Sequence, residues 1–169
     1  MSLHYGYIGL GNLGGHIAAS LLRAGFRVTV HDLNRGLADR LVAAGAVWAE
    51  SAEAVAAAAD HVVTCLPSPA VSEAVLRRIL PVMRPGAVWI ENSTLGRDDI
   101  VRLGALAAAA GVGVLECPVT GGVHLAARGE ITILAGGAAR SMTRICRRCR
   151  PSATGISSWG RWGRRRSSR

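Results

Sequence analysis

Up to residue 137, short β-branched runs alternate with longer stretches rich in Ala and Leu, a rhythm that predicts βαβ units around a parallel sheet. The first strand is expected over 5–9. A helix over 12–24 follows, with Ile17, Leu21 and Leu22 on one face and Gly25 as its stop. A strand over 27–31, a helix over 35–44 and a short strand over 46–48 come next. Ser51 is placed to cap a helix reaching Ala59, with Glu53 in its first turn. The apolar residues Val62, Val63 and Leu66 mark a strand over 61–66 that stops at Pro67. The pattern then predicts a helix over 71–80, a strand over 87–91, a helix over 98–110 and strands over 113–116 and 131–134. Beyond Gly137 neither a period of 3.6 nor one of 2 persists, so ordered structure is expected to end near Ala139. The reading gives one α/β domain over 1–139, with a doubly wound and mostly parallel sheet, and a tail over 140–169.

Length and composition agree with one core: the chain has 169 residues, half of them apolar. That excludes a disordered chain, and four cysteines exclude a disulfide-dense scaffold. Charge changes the picture more. All 20 basic residues are Arg; residues 1–139 carry 10 of them against all 11 acidic groups, whereas 140–169 carry 10 and no Asp or Glu. The formal charge of +9 therefore belongs to the tail, and the body is nearly neutral. The longest apolar run, 103–115, falls short of the roughly 20 residues a membrane-spanning helix needs. No basic stretch precedes the first apolar segment, so a cytoplasmic protein without a membrane partner is expected.

Candidate chemistry begins in the string YIGLGNLGG. Gly9, Gly11 and Gly14 stand in G-x-G-x-x-G spacing between an expected strand and an expected helix, with Asn12 and Leu13 completing the loop. The first glycine permits a tight turn, the second lets backbone approach a pyrophosphate, and the third allows close helix packing. The helix N-terminus supplies oriented amides for the anion. Asp32 falls at the end of the second strand, where a carboxylate can accept from the hydroxyls of an adenosine ribose. It would repel a 2′-phosphate, which favours NAD over NADP; Arg35, three residues on, can reach toward a phosphate and tempers that preference. The expectation is a Rossmann-type dinucleotide-binding domain.

Four blocks in order resemble the cofactor domain of the β-hydroxyacid dehydrogenases, the family of 3-hydroxyisobutyrate dehydrogenase and tartronate semialdehyde reductase, to which the cofactor domain of 6-phosphogluconate dehydrogenase is related. They are GLGNLGGHIAASLLRAGFRVTVHD, CLPSPAVSEAVL, ENSTLG and ECPVTGGVHLAARGEITILAGG. The resemblance implies that Leu66 and Pro67 border the dinucleotide and that Thr94 lies at its nicotinamide end. It also implies that Thr120, Gly121 and Gly122 meet the substrate, a small 3-hydroxy acid of the 3-hydroxyisobutyrate or 2-hydroxy-3-oxopropionate type. Glu116, Cys117 and Thr120 replace the family's Asp, Ala and Ser; Leu125 stands in place of a Gly, and Gly96-Arg97 in place of an x-Pro pair. A homo-oligomer is compatible with the family, and neither a metal nor a nucleic-acid partner is implied.

One departure bears on catalysis. The family exchanges the hydroxyl proton through a Lys, as general acid and base, and closes the site with a helical second domain. This sequence contains no Lys, and an Arg holds its proton too tightly to substitute, so no catalytic residue is assigned and the chain is expected to be inactive alone. The Tyr-x-x-x-Lys arrangement of short-chain dehydrogenases is absent too, since the only tyrosines are Tyr5 and Tyr7.

Three readings of the tail stay open. Ten Arg interleaved with Trp159 and Trp162 suit a nucleic-acid arm, which would accompany a non-catalytic, dinucleotide-sensing protein. Cys146 and Cys149 have C-x-x-C spacing, although all five His precede the tail. The third reading is a translation frame displaced near Arg140. In the shifted frame Met142-Thr143 must yield Asp, and Trp159-Gly160 and Trp162-Gly163 must each yield Gly. Permissible codons elsewhere then give a Gly-x-x-Gly loop with a Lys six residues later, similar to the family's continuation, so the third reading makes the chain a truncated cofactor domain.

Overall fold

A computed structural model of the chain describes residues 3–145 and 157–159. Strand β1 (His4–Ile8) leads through the glycine loop into α1 (Gly14–Arg23), and β2 (Arg27–His31) follows. A 3₁₀ turn (Arg35–Ala38) opens α2 (Asp39–Ala43), and then come β3 (Val47–Trp48), α3 (Ala52–Ala58), β4 (His61–Thr64) and α4 (Pro69–Ile79). The rest is β5 (Val88–Glu91), α5 (Arg97–Ala109), β6 (Gly113–Glu116), β7 (Val119–Thr120), α6 (Gly122–Arg128), β8 (Thr132–Gly137), α7 (Ala139–Ile145) and β9 (Ser157–Trp159). The sheet order is β3-β2-β1-β4-β5-β6-β8-β7, with β9 also on β8. From β3 to β6 every pairing is parallel, while β8 runs antiparallel to its neighbours β6, β7 and β9. This is the Rossmann-type doubly wound sheet that the sequence predicts.

Strand periodicity feeds two cores. Tyr5 and Tyr7 of β1, Val63 of β4, and Val88 and Ile90 of β5 face the layer that holds Ile17, Leu21 and Leu41. Their alternates Ile8, Val62 and Trp89 face Val55, Leu76, Ile79 and Leu103 of α3, α4 and α5. Buried on both faces, the strands become short apolar runs. Gly6 in β1 brings α3 unusually close, since a Cβ there would lie 2.5 Å from Val55 Cγ1.

Element limits differ from expectation where hydrogen bonds outweigh propensity. The first helix starts at Gly14 and not near 12, because the glycine loop continues to Leu13. The second opens as a 3₁₀ turn whose cap, Asn34, accepts from the Gly36 amide at 3.1 Å. Strand β4 ends at Thr64, since the Leu66 amide donates to Ser93 Oγ at 2.7 Å and leaves the ladder. Helix α4 starts two residues early, with Ser68 as cap and Pro69 in its first turn, where a missing N–H costs nothing.

Three corrections are larger. Residues 117–130, left without elements by the sequence, hold β7 and α6; α6 buries only Ala126, so it has no apolar stripe to read. Strand β8 continues through Gly136 and Gly137, which pair with Glu116 and Leu115. Regular structure continues past the expected limit at Ala139: α7 buries Ser141, Met142 and Ile145 against the sheet, and β9 pairs with β8. Cys146, Cys149 and Trp162 lie outside the described residues.

Candidate functional site

The predicted cofactor residues gather where the parallel strands end. Each fingerprint glycine has a separate physical reason. Gly9 has φ +94°, and a Cβ there would fall 2.2 Å from the Cys65 carbonyl oxygen. A Cβ on Gly14 would fall 2.0 Å from the Gly9 carbonyl oxygen, so α1 can approach the turn only without a side chain. Gly11 is different: it is exposed, and a Cβ would meet nothing within 4 Å. Open space above it leaves room for a ligand. Helix α1 has no side-chain cap at Leu13 and no acidic residue in its first turn. The Gly15 and His16 amides donate to the Gly11 and Leu13 carbonyls at 3.3 and 3.1 Å, and no side chain competes for this end of the helix, a setting that suits a phosphate.

Asp32 leaves β2 beside this loop and ties it down. Its Oδ2 accepts from the Leu10 amide at 2.6 Å, and its Oδ1 from the Asn34 amide at 2.8 Å. A carboxylate oxygen has two acceptor positions, so both remain able to take a ribose hydroxyl. The carboxylate thus shapes the glycine loop as well as offering itself to a ligand, which the sequence reading missed. Arg35 is directed elsewhere. Its guanidinium pairs with Asp39 Oδ1 at 2.9 Å and lies 4.6 Å from the centre of the Trp48 ring. Trp48 is held in turn by Glu50, which accepts from its indole N–H at 2.8 Å. A groove of about 480 Å³ runs between α1 and the 3₁₀ turn, with Gly11, Asn12, His16 and Arg40 among its walls.

Leu66, Pro67 and Thr94 sit on the two loops that follow β4 and β5; Leu66 is half-buried, and Pro67 and Thr94 are exposed. The loops are joined by the Leu66 amide on Ser93 Oγ, and the Asn92 amide donates to the Thr64 carbonyl at 2.8 Å. Beneath them Glu91 is fully buried, accepting from the Ser93 amide at 2.8 Å and from the Thr64 hydroxyl at 3.1 Å. Burial pushes its carboxyl up, and the Ser93 and Thr64 hydrogen bonds pull it back only in part. Sequence reasoning passed over Glu91 and Ser93, although both lie in the quoted ENSTLG block.

Thr120, Gly121 and Gly122 form the exposed junction from β7 to α6 on the antiparallel side of the sheet. Gly121 and Gly122 have φ +118° and +76°, the left-handed backbone that Gly adopts without strain. Neither tyrosine reaches this surface, since Tyr5 and Tyr7 are fully buried and burial drives both phenols well above their usual range. Burial likewise pushes the Cys65 thiol to about 11 and the Cys117 thiol to about 12, so neither is a thiolate near neutrality. Among the described residues there is no group of three or more His, Cys, Asp or Glu that could hold a metal, and no helix is long and apolar enough to cross a membrane.

This geometry has known counterparts. The sequence profile for the NAD binding domain of 6-phosphogluconate dehydrogenase matches residues 4–154. An NAD-dependent L-serine dehydrogenase of Pseudomonas aeruginosa is 36% identical over 139 residues, covering 80% of this chain and 47% of the relative. The solved structure of Mycobacterium tuberculosis 3-hydroxyisobutyrate dehydrogenase with L-serine superposes with a TM-score of 0.83 at 32% identity, over 87% of this chain and 50% of that one. The structure of Psf3, in complex with NADP+ and 2-OPP, gives 0.75 at 32% identity, over 85% and 51%. The chain spans about half the length of the curated relatives it matches. The chain belongs to the family of NAD-binding domains of the 6-phosphogluconate dehydrogenase type, shared with 3-hydroxyisobutyrate dehydrogenase-like oxidoreductases.

Proposed function

We propose that this chain is the cofactor-holding part of an oxidoreductase that moves a hydride between NAD and a small 3-hydroxy acid. The observation that carries the reading is the uncapped start of α1 at an open Gly11, with the Asp32 carboxylate fixed next to it. Gly9, Gly11, Asn12, Leu13 and Gly14 would hold the pyrophosphate, and Asp32 the adenosine ribose. Leu66, Pro67 and Thr94 would line the nicotinamide half. Bound there, the nicotinamide supplies or accepts the hydride.

NAD is preferred over NADP because the Asp32 carboxylate would face a 2′-phosphate, while Arg35 is engaged by Asp39 and Trp48. The NADP+ bound to Psf3 makes this preference a matter for this chain's own residues rather than for the family. Thr120, Gly121 and Gly122 are proposed to receive the substrate through a hydroxyl and two backbone amides. Serine and 3-hydroxyisobutyrate, named for the relatives, are both 3-hydroxy carboxylic acids, which supports that substrate class. No Lys is present and both tyrosines are buried, so these residues bind and orient but carry no evident group for exchanging the hydroxyl proton. The domain is proposed to occupy residues 1–139 together with the packed helix α7.

Parallel titrations with NADH and NADPH test the reading. Tighter binding of NADH is expected. Tighter binding of NADPH would overturn the Asp32 argument, and failure to bind either would overturn the cofactor assignment.

A further inference from the structure

Glu91 is a carboxyl with no exposed surface at the end of β5, and the Thr64 hydroxyl and Ser93 amide that hydrogen-bond to it are neutral. Burying a carboxyl without a cation is costly, and an apolar side chain of similar volume would serve packing better. Its bonds show what it contributes instead. The Trp89 indole N–H donates to Thr64 Oγ1 at 2.8 Å, and the Thr64 hydroxyl donates to Glu91 Oε2 at 3.1 Å. The Ser93 amide donates to Glu91 Oε1 at 2.8 Å, and the Leu66 amide donates to Ser93 Oγ at 2.7 Å. This circuit starts in the core, passes through the carboxyl, and ends on the two loops that carry Leu66 and Thr94. Asn92 reinforces the same junction through its backbone amide, which donates to the Thr64 carbonyl at 2.8 Å, while its side-chain amide donates to the Cys117 carbonyl after β6 at 3.0 Å.

We infer that Glu91 is a positioning residue whose two carboxyl oxygens tie the end of β4 to the loop after β5, setting the separation of Leu66 and Thr94 and so the seat of the nicotinamide half of the cofactor. The inference rests on the proposed cofactor reading, but the latch can be measured without ligand. Asp32 follows β2 and the glycine loop joins β1 to α1, outside the circuit, so the adenosine half should not feel its loss.

The test uses the whole chain with Glu91→Leu, which keeps bulk and removes both acceptors, and Glu91→Gln, which keeps the acceptor for Ser93. Amide exchange is followed in the free protein, and NADH and ADP-ribose, which lacks the nicotinamide half, are titrated. In Glu91→Leu the Leu66 and Ser93 amides should exchange at least about tenfold faster, with Val30 unchanged. NADH should bind about tenfold more weakly, whereas ADP-ribose should stay within about twofold. Glu91→Gln should shift the same readouts in the same sense by less, and it carries the test if Glu91→Leu does not fold. Equal losses for NADH and ADP-ribose would mark general damage and overturn the inference, as would unchanged exchange at Leu66 and Ser93. If the unsubstituted chain binds neither ligand, the cofactor reading fails, and faster exchange would then leave Glu91 as a structural latch only, overturning its role toward nicotinamide.

Discussion

Gly11→Ala and Gly14→Ala should separate ligand approach from folding within one loop. At Gly14 the new methyl would lie 2.0 Å from the Gly9 carbonyl oxygen and 3.3 Å from Cys65 Cβ. The backbone carbonyl cannot yield cheaply, so overpacking should cost about 3 kcal/mol. For a chain of this size that lowers Tm by roughly 6–12 °C. At Gly11 the methyl meets nothing, and φ lies outside the left-handed region. Stability should hold or rise by up to about 1 kcal/mol, since Ala restricts the unfolded chain. Binding should move the other way. A methyl where the pyrophosphate approaches should remove at least one charge-assisted hydrogen bond, about 1.5–3 kcal/mol, or roughly 10- to 150-fold in Kd. Thermal melts and NADH titrations on both variants supply the four numbers. Wild-type NADH affinity in Gly11→Ala, with the protein folded, would refute the placement of the pyrophosphate.

Asp32→Ala should weaken NADH by about tenfold or more and narrow its advantage over NADPH, because a ribose acceptor, a repelling charge and the Leu10 tether go together; an unchanged ratio of the two Kd values would contradict this. Acid should remove the stability that His4 and His61 contribute: burial holds both imidazoles below their ordinary value, so the unfolded chain takes up their protons first, while the raised Glu91 carboxyl acts in the opposite sense. The histidine contribution is present above about pH 6.5 and lost as pH falls through the depressed native values, which urea unfolding across pH 5 to 8 would show. Met142→Ala should cost about 2–4 kcal/mol, because Met142 is buried in α7 against the sheet; a melt unchanged by it would contradict the packing of α7.

The parallel part of the fold was legible because strands buried on both faces become short apolar runs, and the helices between them keep an apolar stripe, as Ile17 and Leu21 do. What escaped was held by polar contacts or by glycine. Strand β4 stops at Thr64 because the Leu66 amide turns to a serine hydroxyl 27 residues further on, α6 buries one alanine, and α7 carries its buried positions among arginines. In the site, the glycine spacing and Asp32 could be read because each has a fixed offset from a strand. The tether from Asp32 to Leu10 and the circuit through Glu91 could not, since they depend on which backbone amides the fold leaves unpaired.

The central claim is that a dinucleotide lies across the start of α1 with its ribose on Asp32, and amide shifts on adding NADH to the labelled chain test it most directly. The account predicts large shifts at Gly11, Asn12, Leu13 and Gly14, at Leu33 and Asn34 beside Asp32, and at Leu66 and Thr94, with little change at the opposite end of the sheet around His4 and His61. Shifts confined to that opposite end, or none at saturating NADH, would contradict it.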